Sequence, residues 1–92
     1  MRALEINNKS PECHFNLASA YNDLGDFKSA AKHYQKSIEI DDGNLDAYLC
    51  LGGVYEQLKL VNKARDIYER VLKMDAENTK AIEALEKLAL QR

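Results

Sequence analysis

The sequence predicts an all-α fold, an α-solenoid of antiparallel helical hairpins. Three observations carry this: a fixed period, capping residues on that period, and helical spacing between the caps. Aligning residues 11–44 with 45–78 brings seven identities into register at a separation of 34: Leu17/Leu51, Tyr21/Tyr55, Leu24/Leu58, Ala30/Ala64, Tyr34/Tyr68, Asp41/Asp75 and Asn44/Asn78. Conservative pairs fill in between, among them Glu12/Asp46, Phe15/Leu49, Ile38/Leu72 and Ile40/Met74. Units recurring at such a period bury their apolar faces only against neighbouring units. Ser10, Asn44 and Asn78 stand at successive steps of 34. Each has a side-chain oxygen able to accept from the free backbone donors of a helix start.

The elements follow in order. Residues 1–10 are a stub, in which Ala3-Leu4-Glu5-Ile6 matches Ser37-Ile38-Glu39-Ile40, the end of a hairpin. Its beginning is expected upstream, as in a piece of a longer array. Pro11 opens a first helix over 11–24, at a position where its missing N–H costs nothing. Leu24-Gly25-Asp26 forms the turn, and 27–40 form the second helix, with Ala30, Tyr34 and Ile38 at helical spacing. Residues 45–58 and 61–74 repeat the hairpin, with Asn62 near the start of its second helix. Residues 79–92 restart the first-helix pattern and place Leu85 where Leu17 and Leu51 sit, so they are expected to close the stack. Residues 1–92 thus read as one domain: an incomplete repeat over 1–10, full repeats over 11–44 and 45–78, and a capping helix over 79–92.

Packing expectations attach to single positions. Ala30 and Ala64 are small where paired helices cross closely, and Tyr21, Tyr34, Tyr55 and Tyr68 fill the space between helices. Cys13 stands where Ala47 and Ala81 recur, as a small buried hydrophobe. Gly52-Gly53, inside a helix, serves close packing or a ligand's approach. Lys59 occupies the turn position of Gly25, at a cost of about 1 kcal/mol if that residue is left-handed.

Composition excludes several functions. A net charge of −2 and pI near 5.6 provide no basic field for nucleic acid. No stretch approaches the ~20 apolar residues of a membrane span. Cys13 and Cys50 fall at different repeat positions and form no disulfide framework, which fits a reducing, cytoplasmic setting. His14 and His33 lie on different helices without zinc-ligand spacing. No glycine-rich phosphate loop and no serine beside a base occur, so no enzyme, metal or cofactor is expected.

The spaced set Leu17, Ala18, Tyr21, Ala30, Tyr34 and, loosely, Ser37 recurs as Leu51, Gly52, Tyr55, Ala64, Tyr68 and, loosely, Val71. This pattern resembles the tetratricopeptide repeat over nearly the whole chain. It departs at His14, where a large apolar residue is usual, and at Asp42 and Ala76, where a proline is customary. The resemblance implies a concave groove lined by the first helix of each repeat. Its lining would be Glu12, Phe15, Asn16, Ser19, Asn22 and Asp23 from unit one, and Asp46, Leu49, Cys50, Gly53, Glu56 and Gln57 from unit two. The last helix would add Lys80, Glu83, Ala84 and Lys87.

The implied function is a protein-interaction module that holds a peptide or protein segment in this groove. Four acids on the inner faces of the two units, Glu12, Asp23, Asp46 and Glu56, against Lys80 and Lys87 on the last helix, favour a basic or apolar segment over an acidic one, with its basic character toward the unit-one end. Phe15 and Leu49 share a repeat position and would form an apolar anchor pair. Alternatively, Phe15 packs against an upstream helix. The family's chaperone-tail clamp maps onto Phe15, Ser19, Cys50, Lys80 and Ala84, of which only Lys80 fits, so chaperone C-terminal tails are disfavoured. Asn16 matches an asparagine that grips peptide backbones in long arrays of the family, but Cys50 breaks that ladder. The rival reading is a structural, self-associating repeat, with a homodimer formed through the N-terminal end by the incompletely covered stub.

Overall fold

A computed structural model of the chain describes residues 10–90. The expectations for the stub at 1–9 lie outside the described residues. Five helices follow in order: α1 (Pro11–Leu24), α2 (Phe27–Ile40), α3 (Leu45–Gln57), α4 (Val61–Met74) and α5 (Thr79–Leu90). Each packs chiefly on its neighbours in the chain, α1 with α2, α2 with α3, and so on to α5. That sequential stacking makes a solenoid.

Caps set the boundaries. Ser10 Oγ accepts from the Glu12 and Cys13 amides at 3.1 and 3.3 Å, starting α1. Asn44 does the same for α3 and Asn78 for α5, where its Oδ1 accepts from the Ala81 amide at 2.9 Å. Asp26 caps α2 through the Ser29 amide, whereas α4 begins at Leu60 with no side-chain cap. Asn62, expected to help there, instead accepts from Arg65 Nη1. Gly25 ends α1 with φ 84°, the left-handed geometry glycine adopts without penalty. Lys59 holds the same geometry with φ 66°. The helix expected over 45–58 stops at Gln57, because Leu58 already belongs to the turn that this left-handed residue completes.

The core runs along the repeated positions. Ala30 and Ala64 are fully buried at the helix crossings, and Tyr34, Tyr48, Leu51, Val54, Tyr55 and Tyr68 fill the layers between hairpins. A Cβ added to Gly52 would lie 2.6 Å from Tyr68 Cζ, so this glycine serves close packing. Gly53 faces open space instead. Ser37 is completely buried and satisfied, its Oγ donating to the Pro11 carbonyl at 2.9 Å and tying α2 to the start of α1. The position of Ala18 and Gly52 is taken in α5 by Glu86, which is exposed. A helix seated on α5 as α4 sits on α3 would meet that side chain.

Two packing expectations are corrected. Tyr21 is half-buried, not a core residue like its counterpart Tyr55, and stacks on the His33 ring at 5.4 Å. Cys13 is likewise half-buried, while Ala47 and Ala81 at the same repeat position are fully covered. Both corrections fall on α1, which among the described residues has a hairpin on one side only.

Candidate protein-binding groove

The expected lining residues lie on α1, α3 and α5, and they differ in burial. Glu12, Asn16, Asp23, Asp46, Gln57, Lys80, Glu83 and Lys87 are exposed. Phe15, Ser19, Asn22, Leu49, Cys50, Gly53, Glu56 and Ala84 are half-buried. Phe15 and Leu49 both pack against the core, and Phe15 sets its edge on the Tyr34 ring at a centroid distance of 5.5 Å. Their apolar surface is therefore partly spent inside the protein.

A row of polar groups links the helices. Ser19 Oγ on α1 lies 3.1 Å from the Tyr34 hydroxyl on α2. Cys50 on α3 sits beside the phenols of both Tyr34 and Tyr68. The Tyr68 hydroxyl on α4 donates to Glu56 Oε2 on α3 at 2.5 Å. Glu56 Oε1 in turn lies 3.4 Å from Lys87 Nζ on α5, the one ion pair among the described residues. Burial raises the Tyr68 pKa well above the ordinary phenol value, and the hydrogen bond to the Glu56 carboxylate adds to the shift. Tyr34 is raised chiefly by burial, against which the Ser19 hydrogen bond acts. Both phenols stay protonated at neutral pH.

The structure gathers part of the expected set. Glu56, Lys80, Glu83, Ala84 and Lys87 line one cleft of about 320 Å³ together with Tyr68. Glu12 and Asn16 belong to a separate depression on α1 with Ser10, Cys13 and Leu17. There the Ser10 hydroxyl donates to Glu12 Oε1 at 2.8 Å and holds that carboxyl below its usual pKa. Tyr68 and Tyr34 were expected only as core. Their recurrence as tyrosine rather than phenylalanine was the available signal, since a buried phenol needs a partner. A further cavity of about 220 Å³ opens between α2 and α4, over Tyr48, Leu51 and Tyr55. No group of three or more His, Cys, Asp or Glu placed to hold a metal ion occurs among the described residues. No described helix is long and apolar enough to cross a membrane.

Family models of the tetratricopeptide repeat match residues 11–44 and 45–78. The chain belongs to the tetratricopeptide repeat family. Anaphase-promoting complex subunit 3 of Schizosaccharomyces pombe is 30% identical over 80 residues, covering 87% of this chain but only 12% of that protein. The first tetratricopeptide domain of Spaghetti (RPAP3), solved bound to the HSP90 peptide SRMEEVD, superposes with a TM-score of 0.82 at 28% identity, covering 89% of this chain and 65% of that one. The tetratricopeptide domain of Arabidopsis OM64 gives a TM-score of 0.86 at 27% identity over 98% of this chain and 74% of its own. This family serves protein–protein interaction rather than catalysis, and a general interaction role follows for the chain.

Proposed function

We propose that the chain binds an extended peptide or protein segment along the face of α1, α3 and α5, with a preference for basic or apolar over acidic sequences. The observation that carries this is the cleft of Glu56, Tyr68, Lys80, Glu83, Ala84 and Lys87, a concavity with fixed polar groups on the face where the resemblance puts the groove. The Spaghetti (RPAP3) neighbour binds a peptide on the same fold, which supports a peptide ligand. Its ligand ends in acids, and an acidic tail fits this chain poorly. Only Lys80 of the clamp positions carries a cation here; Phe15, Ser19, Cys50 and Ala84 hold none. Exposed Asp23, Asp46 and Glu83 would draw basic segments, an attraction that fades as salt screens it over about 8–10 Å.

An intracellular location accords with two free cysteines, Cys13 and Cys50. The test is a peptide array at low and high salt, probed with wild type and with Asp46→Lys/Glu83→Lys. Basic or apolar peptides retained by wild type and lost by the charge-reversed variant support the reading; stronger retention of acidic peptides sinks it. A second reading, self-association through α1, is favoured by Leu17, which is 37% exposed at a position that is core in unit two. Sedimentation at tens of micromolar decides it: a species of about twice the 10.4 kDa chain mass supports a dimer, and the monomer mass alone rejects it.

A further inference from the structure

We infer that the C-terminal end of this groove is an arginine-binding subsite that the protein occupies with its own Lys87. This rests on the reading of α1, α3 and α5 as a segment-binding face. Glu56 is a fixed acceptor. Its side chain is 19% exposed and lines the cleft, and its Oε2 is held by the Tyr68 phenol at 2.5 Å. Lys87, which meets Oε1 at 3.4 Å, is 63% exposed and reaches across from another helix. One partner is anchored and the other is replaceable. The anchored one decides what the subsite takes.

Unit one lacks this arrangement. Its tyrosine, Tyr34, is satisfied by Ser19, and the position of Glu56 is held by Asn22. In unit two the position of Ser19 is Gly53, where an added Cβ would meet nothing within 4 Å. Gly53 brings no hydroxyl to Tyr68, whose phenol donates to Glu56 instead. A guanidinium suits the exposed carboxylate edge better than an ammonium, because its planar fork matches carboxylate geometry. The cleft pairs two acids, Glu56 and Glu83, with two lysines, Lys80 and Lys87, so its charges balance and selection falls to Glu56, which the Tyr68 bond holds in place. Exposed ion pairs hold weakly, so Lys87 yields to such a ligand and lowers its apparent affinity by competition.

The test uses an eight-residue peptide with one arginine flanked by leucines, and its citrulline counterpart, which keeps the shape and loses the charge. Binding is measured by fluorescence anisotropy on the full chain, with circular dichroism confirming helicity. Lys87→Met should bind the arginine peptide about two- to five-fold tighter than wild type, the change expected from losing one exposed competing pair. Lys87→Gln should act alike. Glu56→Gln, whose amide oxygen still accepts from Tyr68, should weaken binding about ten-fold and abolish the gain from Lys87→Met when combined with it. The citrulline peptide should respond to none of these changes. If wild type binds the arginine peptide and both Lys87 variants bind it no tighter, this inference fails while the groove reading stands. If neither wild type nor the Lys87 variants bind, both fail.

Discussion

Units one and two share their repeat positions, yet the same residue type meets different surroundings in each. Leu51 is 2% exposed between the hairpins that flank it, whereas Leu17 is 37% exposed. Tyr55 lies in the core, but Tyr21 is half-buried against His33. Gly25 makes its turn without strain, while Lys59 makes the equivalent turn with a side chain in left-handed geometry. Sequence position within the repeat sets what a residue can do. Position within the stack sets how much of it is covered.

The largest effects should separate the two units at equivalent sites. Tyr55→Ala is expected to cost about 3–5 kcal/mol and Leu51→Ala about 2–5 kcal/mol. Leu17→Ala should cost under about 1 kcal/mol and Tyr21→Ala distinctly less than Tyr55→Ala, since less area leaves water at either site. Paired urea melts of the four variants would show this. Equal losses in the two units would mean that burial is uniform along the stack.

Adjacent glycines give the next contrast. Gly52→Ala drives a methyl into the Tyr68 ring and should destabilise by roughly 1–3 kcal/mol through overpacking. Gly53→Ala meets no neighbour within 4 Å and should stabilise α3 by about 0.5–1 kcal/mol. A thermal melt that moves the same way for both would contradict the packing of α3 on α4.

These positions also show where the sequence was legible. The period and the helical spacing located every described helix, the caps on that period only the starts of α1, α3 and α5, with α3 one residue short because Lys59 takes the turn that Gly25 takes in unit one. The period could not report coverage, which depends on what stacks on each side of a hairpin; hence Tyr21 and Cys13 were expected deeper than they lie. Groove membership came from the family resemblance, with helical spacing placing those residues on one face. The inward bonds of Ser19 to Tyr34 and of Glu56 to Tyr68 join separate elements, and no spacing within one helix announces them.

Two smaller effects sharpen the comparison. Lys59→Gly removes left-handed strain and Gly25→Ala introduces it, so the pair should shift stability in opposite directions by about 1 kcal/mol or less. Denaturation midpoints measured side by side would check the signs. His33, where unit two has Ile67, is held below the ordinary histidine pKa by burial, with His14, Lys32 and Lys36 adding repulsion. His14 Nδ1 lies 3.2 Å from its own Nδ1. The folded state therefore prefers neutral His33. Its contribution is complete above the unfolded pKa of about 6.5 and declines as pH falls through the lower folded value. The melting temperature should drop from pH 7 to pH 5, and His33→Ile should flatten that slope.

The most direct test of the groove reading is amide chemical-shift mapping of the labelled chain, titrated with the arginine–leucine peptide. Shifts clustered at Asp23, Gly53, Glu56, Gln57, Glu83 and Lys87 are expected, on the face of α1, α3 and α5. Shifts clustered instead at Ile38, Glu39, Ile67 and Arg70, around the cavity between α2 and α4, would place binding on the opposite face and contradict the account.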